Sequence, residues 1–145
     1  MVVKPFSVEH LEAYAEPGAI RMFSQSLYNR LRREIMSNPA FTLFTKNNEI
    51  VGSGGIVQLW PRVGEAWLMV TPTASFTCLP AYMVLRRTMH NLMTFMRLKR
   101  LQAVVQNNIQ SYRLAVLLGF MYEGTMRGYD FEGNACHIMA IINQG

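Results

Sequence analysis

Asn108-Ile-Gln-Ser-Tyr-Arg-Leu-Ala-Val-Leu-Leu-Gly-Phe-Met-Tyr-Glu-Gly124 is the stretch on which the fold turns. Asn108 can cap a helix running to Leu118, and Gly119 supplies a left-handed C-cap. Phe120 then buries an aromatic ring as the chain re-enters a sheet. Just upstream, Leu101-Gln-Ala-Val-Val is a short strand of buried character, and downstream two strands, near Met121 to Tyr129 and Ala135 to Ile142, flank a turn at Glu132-Gly133-Asn134. Before these comes the longest helical pattern, about Thr77 to Leu98, in which Leu85, Met89, Leu92 and Met96 form an i, i+4, i+7, i+11 stripe. Such a stripe packs one helix face on a sheet.

The N-terminal half alternates less regularly. Val2 to Phe6 is β-prone, and Ser7 reads as the N-cap of a helix to about Ala15, ended by Pro17 and Gly18. From Ile20 to about Met36, Met22, Phe23, Leu27, Leu31 and Ile35 recur at helical spacing opposite Arg30, Arg32 and Arg33, which predicts a second, amphipathic helix. Phe41 to Thr45 meets Glu49 to Trp60 across Lys46-Asn47-Asn48 as a β-hairpin. Gly52, Gly54 and Gly55 in its second strand imply a bulge or a close backbone neighbour. Pro61 to Gly64 makes a turn, and Glu65-Ala-Trp-Leu-Met-Val is a further strand, stopped by Thr71-Pro72. The order β-α-α-β-β-β-α-β-α-β-β contains no repeat, low-complexity tract or linker. It predicts one α/β (α+β) domain over residues 1–145, a mixed sheet with helices on both faces.

Composition agrees with a folded, soluble chain. Hydrophobic residues make up 50% and charged residues 16%, beyond what disorder allows, and no window approaches a membrane span. The first ten residues lack a charged n-region followed by an apolar h-region, so a cytoplasmic setting is expected. Cys78 and Cys136 lie far apart without metal-ligand spacing, and are read as buried free thiols. His10, His90 and His137 show no metal-ligand spacing either, so no metal is expected. The formal charge of +5 admits phosphate-bearing partners without requiring them.

The element order and the segment that opens this reading resemble the acyl-CoA N-acyltransferase (GNAT) superfamily, whose C-terminal pattern is N-x-x-A-x-x-L-Y-x-x-x-G-F-x-x-x-G. Asn108, Leu114, Gly119, Phe120 and Gly124 fall in register with it. The resemblance implies a mostly antiparallel sheet of about six to seven strands. A narrower resemblance, carried by Gly64-Glu-Ala-Trp-Leu-Met-Val-Thr-Pro and by Leu118-Gly-Phe-Met-Tyr-Glu-Gly-Thr-Met-Arg, is to a GNAT-like family of tailed bacteriophages that includes an internal virion protein. It spans roughly Glu49 to Ile142.

Several site residues follow from the GNAT resemblance. The pantetheine arm of acetyl-CoA is expected against the strand carrying Leu68, Met69 and Val70. Its phosphates are expected near Ser75, Thr77, Cys78 and Ala81 at the start of the next helix, where free N–H groups and the helix dipole favour anions, with Asn108 and Arg113 on the helix after that. The family's loop pattern, [QR]-x-x-G-x-[GA], is absent: Thr77, Pro80 and Tyr82 stand at its three fixed positions, and Pro80 removes an amide donor. The segment reads equally as an ordinary capped helix start. At the position of the family's acid, a tyrosine four residues before Gly-Phe, this chain has Ala115. Tyr112, one turn earlier, is the nearest substitute as the acid that protonates the leaving thiolate, and equally a packing residue. Glu65 is the carboxylate best placed to act as general base, or else pairs with Arg62 at the surface.

Arg86, His90, Arg97 and Arg100 share a stripe, with Arg87, Lys99 and Arg113 close by in sequence. It reads as a solvated face or as a contact for phosphates, of CoA or of nucleic acid. No interleaved aromatics support base stacking, so nucleic acid is not the expected partner. Eleven methionines suit a pliable core or an adaptable surface. Two functions stay open: an acetyl-CoA-dependent N-acetyltransferase acting on a small-molecule or protein amine, or a GNAT-fold protein without catalysis that binds phage structural proteins. A homo-oligomer is open in both cases.

Overall fold

The computed structural model describes residues 1–15, 19–22, 37–72 and 79–143. Along them run β1 (Val2–Pro5), a 3-10 helix (Val8–Tyr14), β2 (Ile20–Met22), β3 (Ala40–Phe44), β4 (Ile50–Trp60), β5 (Val63–Val70), α1 (Leu79–Phe95), β6 (Arg100–Gln106), α2 (Ile109–Leu117), β7 (Met121–Met126) and β8 (Cys136–Ile142). The strands form one sheet in the order β1-β3-β4-β5-β6-β8-β7, with β2 added beside β5. Every ladder is antiparallel except β5–β6, because α1 carries the chain back across the sheet to start β6 in the same direction as β5.

Alternation along β5 explains its apolar run. Ala66, Leu68 and Val70 join the core formed with Leu85 and Met89 of α1, Leu114 of α2 and its C-cap Leu118, while Trp67 and Met69 pack on the other face with Tyr14 and Leu11 of the 3-10 helix. A strand covered on both faces reads as continuous hydrophobicity rather than alternation. The expected helices on both faces are therefore present.

Local chemistry sets the ends of these elements. Asn108 Oδ1 accepts the Ser111 N–H at 2.8 Å, capping α2. At the other end of α2, Gly119 (φ 102°) closes a Schellman motif, with Gly119 N–H donating to Val116 O and Phe120 N–H to Ala115 O, each at 3.0 Å. The β4 glycines are explained by close neighbours: a Cβ on Gly55 would sit 2.7 Å from Pro39 O and 2.8 Å from Trp67 Nε1. The irregularities of register lie elsewhere, between Leu43 and Phe44 and between Gln58 and Trp60.

Three expectations change. The first helix is a 3-10 helix. Ile20–Met22, expected to begin the second helix, is a strand, because it finds open backbone on β5, and pairing there outweighs helical spacing of its side chains; the rest of that helix, residues 23–36, lies outside the described residues. Gly64, expected in a turn, belongs to β5, and only Pro61 and Arg62 make the β4–β5 connection.

A second polar feature holds the 3-10 helix down. The Ser7 N–H donates to His10 Nδ1 at 3.1 Å, so that nitrogen is an acceptor and Thr42 Oγ1, 2.7 Å away, must donate to it. The direction of the whole chain follows. Ser53 donates to Thr42 at 2.9 Å and Tyr14 donates to Ser53 at 2.6 Å, a buried line of hydroxyls across β3 and β4.

Candidate functional site

β5 and β6 pair over Val63↔Arg100, Gly64↔Leu101 and Glu65↔Gln102, and the ladder stops there. Beyond it, β5 is paired on the same edge with β2, through Met22↔Leu68, Arg21↔Met69 and Ile20↔Val70. β4 holds the opposite edge of β5 throughout. β2 also contacts β6 and α2, so it lies in the wedge that opens where β5 and β6 part. The strand positions Leu68, Met69 and Val70, expected to take the pantetheine arm, are the three that β2 covers.

Glu65 sits at the apex of this wedge, on the last residue of the β5–β6 ladder. It is 8% exposed, a buried carboxylate. Gln102 Nε2 lies 3.5 Å from Glu65 Oε1, a long contact from the neighbouring strand. A buried carboxylate at the end of a parallel ladder can take a proton from a group entering the wedge from that end.

Tyr112 goes elsewhere. Its ring meets His137 of β8 edge-on, with centroids 5.8 Å apart, and β8 lies across β6 from β5. The structure does not bring Tyr112 to Glu65. Instead Tyr112 and Tyr122 flank His137, whose centroid is 5.5 Å from that of Tyr122. His137 Nε2 donates to Asn107 Oδ1 at 3.0 Å, so in the neutral ring Nδ1 accepts from Thr125 at 3.0 Å, and Thr125 in turn accepts from Tyr122 at 2.7 Å. This cluster was not assembled from the sequence, because its members come from three elements. Ala115, at the position of the family's acid, is fully buried in the core.

The other expected cofactor residues fall into three groups. Ser75, Thr77 and Cys78 lie outside the described residues. Ala81 is buried against the core from the first turn of α1, and Tyr82 packs partly against the same core. Asn108 caps α2, and Arg113 is exposed on that helix. Asn108 also lines a polar cavity of about 640 Å³, with Gln106, Asn107, Tyr129, Glu132 and Cys136. Within it, Asp130 Oδ1 is engaged by its own loop, accepting the N–H groups of Glu132 at 3.0 Å and Asn134 at 2.7 Å. Cys136 is a free, buried thiol as expected; burial, and then the nearby Asp130 charge, push its pKa up, which keeps it protonated and unreactive. Among the described residues, no group of three His, Cys, Asp or Glu could hold a metal ion, and no helix is long and apolar enough to cross a membrane.

No protein-family model matches this chain, and no curated protein matches its sequence. Solved structures do match in shape. A point mutant of the spermidine N-acetyltransferase of Vibrio cholerae superposes with a TM-score of 0.72 at 14% identity, over 98% of this chain and 95% of that one. An acetyltransferase of the GNAT family from Bacillus anthracis gives 0.66 at 20% identity, over 97% and 93%. The ribosomal-protein-S5-alanine acetyltransferase of Vibrio fischeri gives 0.64 at 17% identity, over 83% and 70%. At such identities the likeness is one of backbone architecture, and it extends over nearly all of the chain in two of the three. The chain has a GNAT-like α/β fold.

Proposed function

We propose that this protein is an N-acyltransferase that works in the wedge between β5 and β6, with acetyl-CoA as donor, an amine as acceptor and Glu65 as general base. The supporting observation is the placement of Glu65, a buried carboxylate on the last paired residue before the two strands part. Its task is to take a proton from the attacking amine, directly or through one water. The thioester would supply the electrophilic carbonyl and a thiolate leaving group. Solved structures of like fold include enzymes whose names give amine acceptors, spermidine among them, which is consistent with an amine here.

The fit of the donor depends on β2. With Ile20–Met22 paired to Leu68–Val70, the edge of β5 has no room for a pantetheine arm, and the donor fits only if β2 withdraws. With Tyr112 turned toward His137, water is the better-placed proton source for the thiolate.

The closed edge, together with Ala115 in the core, supports a second reading. In it the chain keeps the fold without the chemistry and serves as an assembly or virion component of a phage, the role its narrower resemblance implies. Titration with CoA separates the two. Saturating CoA should raise stability by about 2.7 kcal/mol at a hundredfold excess over its dissociation constant, and no shift at millimolar CoA would rule out the transferase. If CoA binds, Glu65→Gln should lower acetyl transfer by about 10²-fold or more while leaving CoA affinity intact; full-rate transfer would remove Glu65 from the mechanism. Absence of the protein from purified particles would count against the second reading.

A further inference from the structure

The basic stripe predicted on the long helix does not exist as one surface. Arg86 Nη1 donates to Leu117 O at 3.2 Å and His90 Nε2 to Leu118 O at 3.1 Å, so both are used on the last carbonyls of α2. Arg100 forms a two-bond pair with Glu123 at 2.9 and 2.6 Å. Arg87 and Arg113 are exposed on α1 and α2, while Arg97 and Lys99 are joined by a third cation from a different hairpin, Arg62.

These three line a cavity of about 640 Å³, together with polar Gln58, Thr94 and Asn143 and apolar side chains such as Met96, at the end of the sheet where α1 stops and β5 and β6 begin. Among the described residues the lining contains no carboxylate, and none of the three cations forms an ion pair. Their backbones are fastened to one another. Lys99 N–H and Arg100 N–H both donate to Arg62 O, at 2.8 and 3.1 Å, and Asn143 N–H donates to Lys99 O at 2.8 Å. The cations thus start from a fixed platform, which lowers the ordering cost of gathering them on one ligand.

Two of the three occupy backbone positions that suit glycine. Arg97 has φ 56° and Arg62 has φ 74°. Arg97 is the left-handed residue of a Schellman motif: its N–H donates to Thr94 O and that of Leu98 to Met93 O, each at 3.0 Å. α2 ends in the same motif with Gly119. A side chain in this conformation is strained, and here that strain coincides with a long cationic side chain at the rim of the cavity.

We propose that this cavity binds a small phosphate-bearing anion, held by Arg62, Arg97 and Lys99. The site lies at the opposite end of β5 from Leu68–Val70 and is independent of the donor wedge. Three cations match a ligand carrying several negative charges, and Arg offers paired N–H donors to phosphate oxygens.

The test is a calorimetric titration of the full chain with inorganic tripolyphosphate at low and moderate salt. Saturable binding of one anion per chain is expected, weakening as salt rises. Arg62→Gln with Lys99→Gln should weaken it at least tenfold, whereas Arg87→Gln, which removes an exposed charge on α1 outside the cavity, should change it less than twofold. Arg97→Gly is the sharper variant, because it relieves the strained cap while deleting a ligand. It should raise the thermal midpoint and still weaken tripolyphosphate binding severalfold, a pair of effects that a purely structural role for Arg97 would not produce. Binding that never saturates, or that drops equally in Arg87→Gln and in the cavity variants, would overturn the site and reduce it to general attraction by a basic surface.

Discussion

The two edges of β5 are built differently. On one edge β4 pairs from Gly52↔Val70 to Trp60↔Val63, and the fit is tight enough that Gly55 has no space for a methyl group. On the other, β6 pairs for three residues, and β2 takes over for three more. The first edge is one long ladder closed by tight packing, and the second is shared between two short ladders. A strand edge whose partner is short and replaceable is one that an extended ligand can also pair with, and the buried carboxylate Glu65 lies at the point where the partner changes.

The sharpest way to break the packed edge is Trp67→Ala. Trp67 is 1% exposed, pairs with Gly55 across the ladder and meets Phe6 edge-on at 5.2 Å. Its loss should cost about 3–5 kcal/mol, read by chemical denaturation; a cost near zero would mean that packing does not hold this edge. Gly55→Ala attacks the same edge by overfilling it and should cost about 1–3 kcal/mol. A neutral result would show that Trp67 and Pro39 give way easily.

Tyr14→Phe loosens the hydroxyl line that ties the 3-10 helix to β3 and β4, and should cost about 1 kcal/mol at neutral pH. The difference should depend on pH. Burial raises the pKa of the Tyr14 phenol well above its ordinary 10.0, with the Ser53 hydrogen bond offsetting only part of the rise. A raised folded pKa gives stability that is present below the unfolded value and lost as pH climbs through and beyond it. The gap between the parent protein and Tyr14→Phe should therefore narrow above about pH 10, and a constant gap would mean that Tyr14 titrates alike in both states.

Arg21→Pro removes a backbone donor from β2 and should have the smallest effect on stability, below about 1 kcal/mol, because the ladder it breaks is three residues long. Hydrogen exchange of Leu68–Val70 should quicken, and CoA affinity should rise if the donor competes with β2. Unchanged exchange would show that β2 does not protect the edge.

Much of this layout is legible in the sequence because its causes are local. Asn108 and Gly119 announce both ends of α2, Lys46-Asn47-Asn48 marks a hairpin, and the stripe through Leu85 and Met89 marks the buried face of α1. Glu65 could be singled out as a carboxylate on a core strand, though not placed. β2 could not be read at all: its three residues continue a helical spacing, and only the open backbone of β5, more than forty residues away in sequence, makes them a strand. Tyr112 shows the same limit, since helical position fixes its side of α2 but not which strand lies beneath it.

The order of elements from β3 onward, the ends of α2 and the apolar run of β5 are written in the chain itself, because each rests on interactions within a few residues. The tertiary structure alone decided that β5 and β6 part at Glu65, that β2 covers the edge beyond, and that Arg62 joins Arg97 and Lys99. Those depend on which distant backbones meet, and pairing across a sheet is chosen by the sum of burial and hydrogen bonding over the whole molecule, not by any one segment's pattern.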